Sequence, residues 1–253
     1  MTDAERFDQA IKTALSRDGE RTGIGMLSEK LMHITVKNFY CSDPAHQEIK
    51  IGSHVADICV EDSIIEVQNG NFNKLRDKLE DFLENYYVTI AYPIPATKIL
   101  TWVDPETGEI TSSRKTGKKG SVMDAMRELY RIKRYLIDEN LSVELLFVDL
   151  EEIRFQDGYA RDRKKGSHRM ERIPKGLNRV VSFHTIDDYA QLLPDPSLLP
   201  SPFTSADYRK AWKTTERNAS IALLMLTQFG ILERTGKKGN AYLYEIAKPY
   251  RIK

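Results

Sequence analysis

The sequence has few cysteines, and they form no pattern that would bind a metal. Cys41 and Cys59 are the two cysteines among 253 residues, without a CxxC motif or a nearby histidine cluster. Zinc sites built on closely spaced Cys and His ligands are therefore excluded. Both cysteines lie in apolar surroundings, which predicts small buried side chains in a reducing compartment.

Long apolar runs and an excess of one charge are absent as well. No stretch approaches transmembrane length, and residues 1–21 lack the apolar core of a signal peptide, which predicts a cytoplasmic protein with no membrane partner. Lys and Arg total 38 against 37 Asp and Glu, so the net charge of +1 says little about partners. The chain is long enough for more than one domain.

Hydrophobic periodicity predicts an α/β fold with a mixed β-sheet flanked by helices. Helices are predicted at residues 4–18, 28–40, 71–83 and 121–140. Strands are predicted at residues 47–60, 63–68, 86–94, 98–104 and 142–150.

Composition predicts three regions along the chain. Residues 1–180 form the α/β domain, whose last part, 151–180, lacks periodicity and is strongly basic. Residues 181–202 are punctuated by proline and predict a linker, and residues 203–253 have a compact pattern of their own.

Two carboxylates lie within otherwise apolar strands. Strand side chains alternate faces, so a hairpin with its turn near residues 61–63 would bring Asp57 close to Glu66 or Gln68. Neighbouring carboxylates in a low dielectric repel each other unless a cation such as Mg²⁺ joins them. The alternative is that both acids are edge-strand or turn-facing residues of an ordinary sheet.

This arrangement resembles the PD-(D/E)XK nuclease superfamily, whose signature is an acid on one strand and Glu-x-Lys, or a variant, on the next. Here the signature reads Asp57, eight intervening residues, then Glu66-Val67-Gln68, and Glu29 lies on the preceding helix. An amphipathic helix and an apolar strand follow, as in that family. The resemblance covers about residues 20–105, and it implies a restriction-endonuclease-like core.

The resemblance implies a nuclease that hydrolyses DNA with Mg²⁺ or Mn²⁺. Asp57 and Glu66 would hold the metal, with the carbonyl of Val67 as a further ligand and Glu29 binding a second metal or a metal-bound water. Gln68 stands where the family most often has lysine; it would orient water or substrate but cannot accept the proton of the water. A catalytically inactive nuclease-like DNA-binding or regulatory protein is the alternative, and an unrelated scaffold for protein partners is a third.

Other polar residues give weaker indications of function. His33 lies one helical turn after Glu29, and its favoured interpretation is a partly buried histidine satisfied by its neighbours, with contact to metal or substrate as the alternative. The basic stretches 112–121 and 161–175 are each typical of solvated loops. Beside a nuclease centre, the second would contact phosphates through Arg163, Lys164 and Lys165.

The C-terminal region resembles a winged helix-turn-helix domain. A helix begins after a threonine cap near Thr215 and ends at Gly230, and "GILERTGKKGNAYLYEI" then matches the wing of that family. The resemblance implies DNA contacts, in the major groove or on backbone phosphates, from Thr214, Thr215, Arg217, Asn218, Lys237 and Lys238. A protein-binding module is the alternative.

Restriction, repair and mobile-element roles all suit a nuclease, and cutting both strands would favour a homodimer.

Overall fold

The chain is α/β, with one large mixed β-sheet flanked by helices, as the sequence predicts. The computed structural model describes residues 1–18, 28–158 and 166–251, without the side chains of residues 17, 18, 28–30, 156–158, 166–168 and 170. None of the helices in these ranges is long and apolar enough to cross a membrane.

The described residues form six α-helices and nine strands. The helices are α1 (Asp3–Asp18), α2 (Ser28–Tyr40), α3 (Arg76–Phe82), α4 (Met126–Arg131), α5 (Ser205–Trp212) and α6 (Glu216–Gln228). The strands are β1 (Gln47–Ile51), β2 (His54–Val60), β3 (Ser63–Val67), β4 (Tyr87–Val103), β5 (Ile110–Lys115), β6 (Leu141–Gly158), β7 (Gly166–Phe183), β8 (Leu232–Lys238) and β9 (Ala241–Ile246).

Seven strands of the described residues form one sheet in the order β1-β2-β3-β4-β6-β7, and β5 pairs with β4. The pairs β1–β2, β2–β3 and β4–β5 are antiparallel. A separate antiparallel hairpin is formed by β8 and β9. The first three strands are therefore a meander, which places the middle strand β2 between two neighbours.

The chain divides into two compact units, each assembled from separate stretches. The first contains Met1–Asn69, Ile90–Gly120 and Glu144–Val181, and the second contains Gly70–Thr89, Ser121–Val143 and Ser182–Lys253. These units are defined by which residues pack together. The three regions predicted from composition, 1–180, 181–202 and 203–253, stay a prediction.

The core of the first unit lies between its two long helices and the sheet. Phe7 of α1 is fully buried and meets Phe39 of α2 edge to face, with ring centroids 5.5 Å apart. The same cluster includes Val67 of β3 and Leu146 and Val148 of β6. Burial of each such side chain contributes roughly 1.5–3 kcal/mol, which fixes α2 against the sheet.

The second unit contains the C-terminal helices and hairpin. Thr215 caps α6 by accepting the Asn218 N–H, and Gly230 ends the helix with a positive φ of 74°, both as predicted. Part of the segment predicted as a linker packs here, since the Tyr208 hydroxyl donates to the carbonyl of Leu192 at 2.6 Å.

Several predicted elements differ from the structure. The predicted strand 47–60 is two strands, because Gly52 with a φ of 56° turns the chain back between β1 and β2. Residues 151–158 and 166–180, predicted as irregular, belong to the long strands β6 and β7. The prediction of buried cysteines was also wrong, because Cys41 and Cys59 are free and half-buried.

Candidate metal centre

The two acidic residues of the predicted motif meet where β2 and β3 stop pairing. Ile58 pairs with Ile65, and the next position in this register places Asp57 opposite Glu66. There, each carboxylate accepts a backbone N–H of the other strand. Asp57 Oδ2 accepts the Val67 N–H at 2.7 Å, and Glu66 Oε1 accepts the Asp57 N–H at 3.3 Å. The backbone thus fixes the orientation of both carboxylates.

Burial makes this pair of acids electrostatically unusual. Glu66 is 1% exposed, and the side chain of Asp57 is 14% exposed. Two carboxylates close together in a poorly hydrated site repel each other, so a nearby positive charge stabilises their ionised forms. Helix α2 carries two side chains that supply or can supply such a charge.

The first of these side chains is His33. Its Nε2 lies 3.3 Å from Oδ1 of Asp57, so the two oxygens of this carboxylate have different partners. The imidazole belongs to α2, whose packing against the sheet sets its position. The sequence-based interpretation of His33 as a satisfied, partly buried residue agrees with its half-buried state, but its partner is the central acid of the motif.

The second is Lys37, one helical turn further along α2. This lysine is 6% exposed, and its ammonium group contacts Oε1 of Glu48 on β1. In the β1–β2 register Gln47 pairs with Ile58, so Glu48 occupies the position opposite Asp57. One ligand atom each from His33, Glu48 and Asp57 lie within 4.8 Å of one another.

The remaining residues of the predicted motif are Val67, Gln68 and Glu29. Val67 is 2% exposed, with its side chain in the core, and Gln68 is half-buried, with its backbone N–H donating to Ala91 on β4 at 2.9 Å. Glu29 lies in the first turn of α2, but its side chain is outside the described residues.

The residues predicted to bind nucleic acid are placed differently. Thr215 and Arg217 at the start of α6 are exposed, and so are Lys237 and Lys238 at the tip of the β8–β9 hairpin. Thr214 is half-buried. Asn218 is 9% exposed, and its amide donates to the carbonyl of Met123 at 2.8 Å, so it lies inside the second unit. Arg163, Lys164 and Lys165 fall outside the described residues.

Sequence reasoning missed Glu48 and Lys37, and it gave contact of His33 with metal or substrate only as the alternative to a satisfied, partly buried histidine. One usable signal was the spacing of Glu29, His33 and Lys37, which lie one turn apart and share a helical face. Another was Gly52, which permits the turn that brings Glu48 back beside Asp57.

The conformation of Glu48 separates it from an ordinary strand residue. Its φ is 55°, which a non-glycine residue seldom adopts. The same residue contacts Lys37 and joins the group with His33 and Asp57. The unusual backbone conformation of Glu48 and its charged contacts therefore occur at the same place, the candidate centre.

Comparison with known proteins places this centre inside a family domain. Residues 30–184 match a family described as "Domain of unknown function (DUF8091)", a range that includes His33, Glu48, Asp57 and Glu66. An uncharacterized protein of Treponema pallidum (strain Nichols) is 26% identical over 227 residues, which cover 89% of this chain and 88% of that protein. No solved structure matches the chain. Since the family match spans more than half of the sequence, the chain belongs to the DUF8091 family.

Proposed function

We propose that this protein is a divalent-metal-dependent nuclease of PD-(D/E)XK type that hydrolyses phosphodiester bonds of DNA. The observation that carries the proposal is the meeting of Asp57 and Glu66 at the point where β2 and β3 part. The order of elements around them also fits, since α2 precedes the motif and α3 and β4 follow it.

The residues at this point of the sheet fit a hard divalent cation. Mg²⁺ and Mn²⁺ bind carboxylate oxygens, and Mg²⁺ commonly takes one or two carboxylates with water and substrate phosphate oxygens. Asp57 and Glu66 supply two carboxylates that the backbone holds in fixed orientations. When bound, the cation would stabilise charge on the phosphate and lower the pKa of a water molecule.

The chain's own groups have separate roles in this proposal. Asp57 and Glu66 hold the cation, and His33 keeps the Asp57 carboxylate in its orientation through the contact at Oδ1. Gln68 orients water or substrate by hydrogen bonding, because an amide cannot take a proton from water at neutral pH. Glu29 would support the centre from the first turn of α2.

A second candidate function is a nuclease-like protein that binds DNA without cutting it. Two observations favour it: Gln68 replaces the usual lysine, and both acids of the motif already accept backbone N–H groups. Such bonds satisfy part of the hydrogen-bonding capacity of each carboxylate without any metal.

A cleavage assay separates the two candidates. The purified protein is incubated with supercoiled, linear and single-stranded DNA in Mg²⁺, Mn²⁺ or EDTA. Metal-dependent cutting supports the nuclease, whereas DNA binding without cutting on every substrate supports the inactive protein. Cutting of both strands at one position would support a homodimer.

The C-terminal helices and hairpin form the proposed second DNA contact, as a winged helix. Helices α5 and α6 precede the hairpin, and Phe203 pairs with Tyr244 at its edge. On the hairpin the Lys237 ammonium lies 4.9 Å from the Tyr242 ring centroid, and the Arg234 guanidinium lies 4.4 Å from it. This basic and aromatic surface suits phosphate contacts at the wing. Asn218 is left out because its amide is engaged inside the unit.

Replacing Lys237 and Lys238 together by alanine is expected to weaken DNA binding and reduce its salt dependence. Each phosphate contact contributes about 0.9 to the slope of log K against log salt concentration, so two contacts lower the slope by up to about 2. Fluorescence anisotropy with a labelled duplex at several salt concentrations measures this slope. The control pair is Lys12→Ala with Lys74→Ala, two exposed lysines that do not belong to the hairpin. An unchanged slope in the hairpin variant would remove the wing from the interface.

A further inference from the structure

Asp57 is the middle member of a row of three acids. Glu48 lies opposite it across β1–β2, and Glu66 lies opposite it across β2–β3. Like charges on directly opposite positions of a sheet are destabilising, so this row favours a cation beside it. Lys37 already places one positive charge there from within the core.

The ligand atoms on the two sides of Asp57 differ in chemistry. The Glu66 side offers the carboxylate oxygens of Asp57 and Glu66, whereas the Glu48 side includes the imidazole of His33. Imidazole nitrogen suits transition-metal ions, and Mg²⁺ prefers oxygen ligands and keeps its water. The two sides are therefore suited to different ions.

We propose that His33, Glu48 and Asp57 form a second cation position, selective for a divalent transition-metal ion over Mg²⁺. The basis is that one ligand atom from each of the three residues lies within 4.8 Å of the other two. A single ion contacting one nitrogen and two carboxylate oxygens draws such atoms together, since its bonds are about 2.0–2.2 Å long. This inference deepens the proposed function, on which it rests through the shared ligand Asp57.

Lys37 positions the carboxylate of this site. Its ammonium contacts Oε1 of Glu48, whose side chain is otherwise 60% exposed. Without that contact an exposed glutamate would sample several rotamers, because its side chain has three free torsions. The buried lysine thus keeps Glu48 close to Asp57 and leaves the second carboxylate oxygen for an ion.

The test measures metal binding and does not depend on cleavage. Free Mn²⁺ is followed by its electron paramagnetic resonance signal while protein is titrated in, and Mg²⁺ is then added as a competitor. The wild-type protein is expected to bind Mn²⁺ at least about 10-fold more tightly than Mg²⁺. His33→Ala is expected to lower the Mn²⁺ affinity at least about 10-fold, since even partners outside the ligand set cost 10–100-fold, and to reduce the preference for Mn²⁺ over Mg²⁺.

Two further variants keep the result interpretable. Glu48→Gln keeps a side-chain oxygen that can accept from the buried Lys37 ammonium, and its fold is checked by circular dichroism; it is expected to lower the Mn²⁺ affinity as His33→Ala does. His46→Ala is the matched control, because His46 also faces an aspartate, Asp43, at 3.7 Å, on the exposed surface. It should bind Mn²⁺ as the wild type does.

Metal binding and DNA cleavage test the two proposals independently. Equal Mn²⁺ binding by the wild type, His33→Ala and Glu48→Gln would overturn the second cation position, even if the protein cuts DNA in Mg²⁺. Loss of Mn²⁺ selectivity in both variants supports the position, even if no DNA is cut. If Mn²⁺ selectivity is lost in both variants and no DNA is cut, the nuclease proposal fails and the metal site stands.

Discussion

Replacing Glu66 by glutamine is expected to lower the rate of metal-dependent DNA cleavage by at least about 100-fold, the upper end of what loss of a partner outside the ligand set costs. Glutamine has nearly the same shape as glutamate, and its side-chain oxygen can still accept the Asp57 N–H that Glu66 accepts at 3.3 Å. The variant therefore removes the charge that would hold a cation and keeps the hydrogen bond between the two strands. Asp57→Asn makes the same change on β2, where the side chain of Asp57 accepts the Val67 N–H at 2.7 Å.

The rate is measured under single-turnover conditions with plasmid DNA, and the fold is checked by circular dichroism and thermal unfolding. The matched control is Glu128→Gln, which alters a carboxylate in the second unit that also accepts a backbone N–H, from Phe72 at 2.8 Å. We expect this control to cut DNA at the wild-type rate. Cleavage by Glu66→Gln at the same rate as the control would show that the acids serve the fold alone.

The approach of Asp57 to Glu66 was predictable because it depends on local rules. Strand side chains alternate with a period of two, and a tight turn between β2 and β3 fixes which residues face each other. Once Ile58 pairs with Ile65, the position of Asp57 beside Glu66 follows. The sequence contains all of this information within a dozen residues.

The contribution of Glu48 was hidden by a turn that has weak sequence signals. "IKIGSHVA" looks like one apolar strand interrupted by glycine and serine, and only the positive φ of Gly52 makes it a hairpin. If residues 47–60 are taken as one continuous strand, the sequence does not indicate which residue Glu48 lies beside. The approach of His33 to Asp57 depends in addition on the packing of α2 against the sheet, which no short pattern encodes.

The second half of β6, from residue 151 on, and β7 escaped prediction because ion pairs replace hydrophobic alternation along them. Glu152 lies on β6 and Arg172 on β7, and their charged atoms approach to 3.5 Å. Periodicity methods depend on apolar residues returning at a fixed spacing. A pair of neighbouring strands stabilised partly by charged pairs therefore looks like an irregular basic segment.

Replacing Glu152 by alanine is expected to lower the free energy of unfolding by about 3 kcal/mol, the lower end of what loss of one partner of a buried ion pair costs. Glu152 is 1% exposed and lies among Lys98, Arg154 and Arg172, with Nζ of Lys98 at 3.1 Å and Nε of Arg154 at 2.7 Å. These three basic side chains are only a quarter to a third exposed, so solvent screens part of their mutual repulsion.

The neighbouring Glu151 supplies the control for this loss. Glu151 pairs with Lys175, whose side chain is about half exposed, and Lys175→Ala removes that pair at an expected cost of no more than about 1 kcal/mol. The two variants are compared by thermal unfolding. In a chain of this size, each kcal/mol of lost stability lowers the melting temperature by about 2–4 °C. Equal melting temperatures would show that the cluster around Glu152 contributes no more than a surface pair.

The same cluster predicts how stability depends on pH. Burial raises the pKa of Glu152, but the hydrogen bond from Arg154 and the charge of Lys98 outweigh it, so the pKa is lowered overall. A carboxyl group whose pKa is lower in the folded state contributes stability above its unfolded pKa, about 4.3, and loses it as the pH falls through the folded value. Glu152→Gln lacks this contribution at every pH. The difference in melting temperature between the wild type and Glu152→Gln should therefore be largest at neutral pH and shrink steadily below about pH 4.3. A difference that stays constant across this range would mean that the charge of Glu152 is not what stabilises the pairing of β6 with β7.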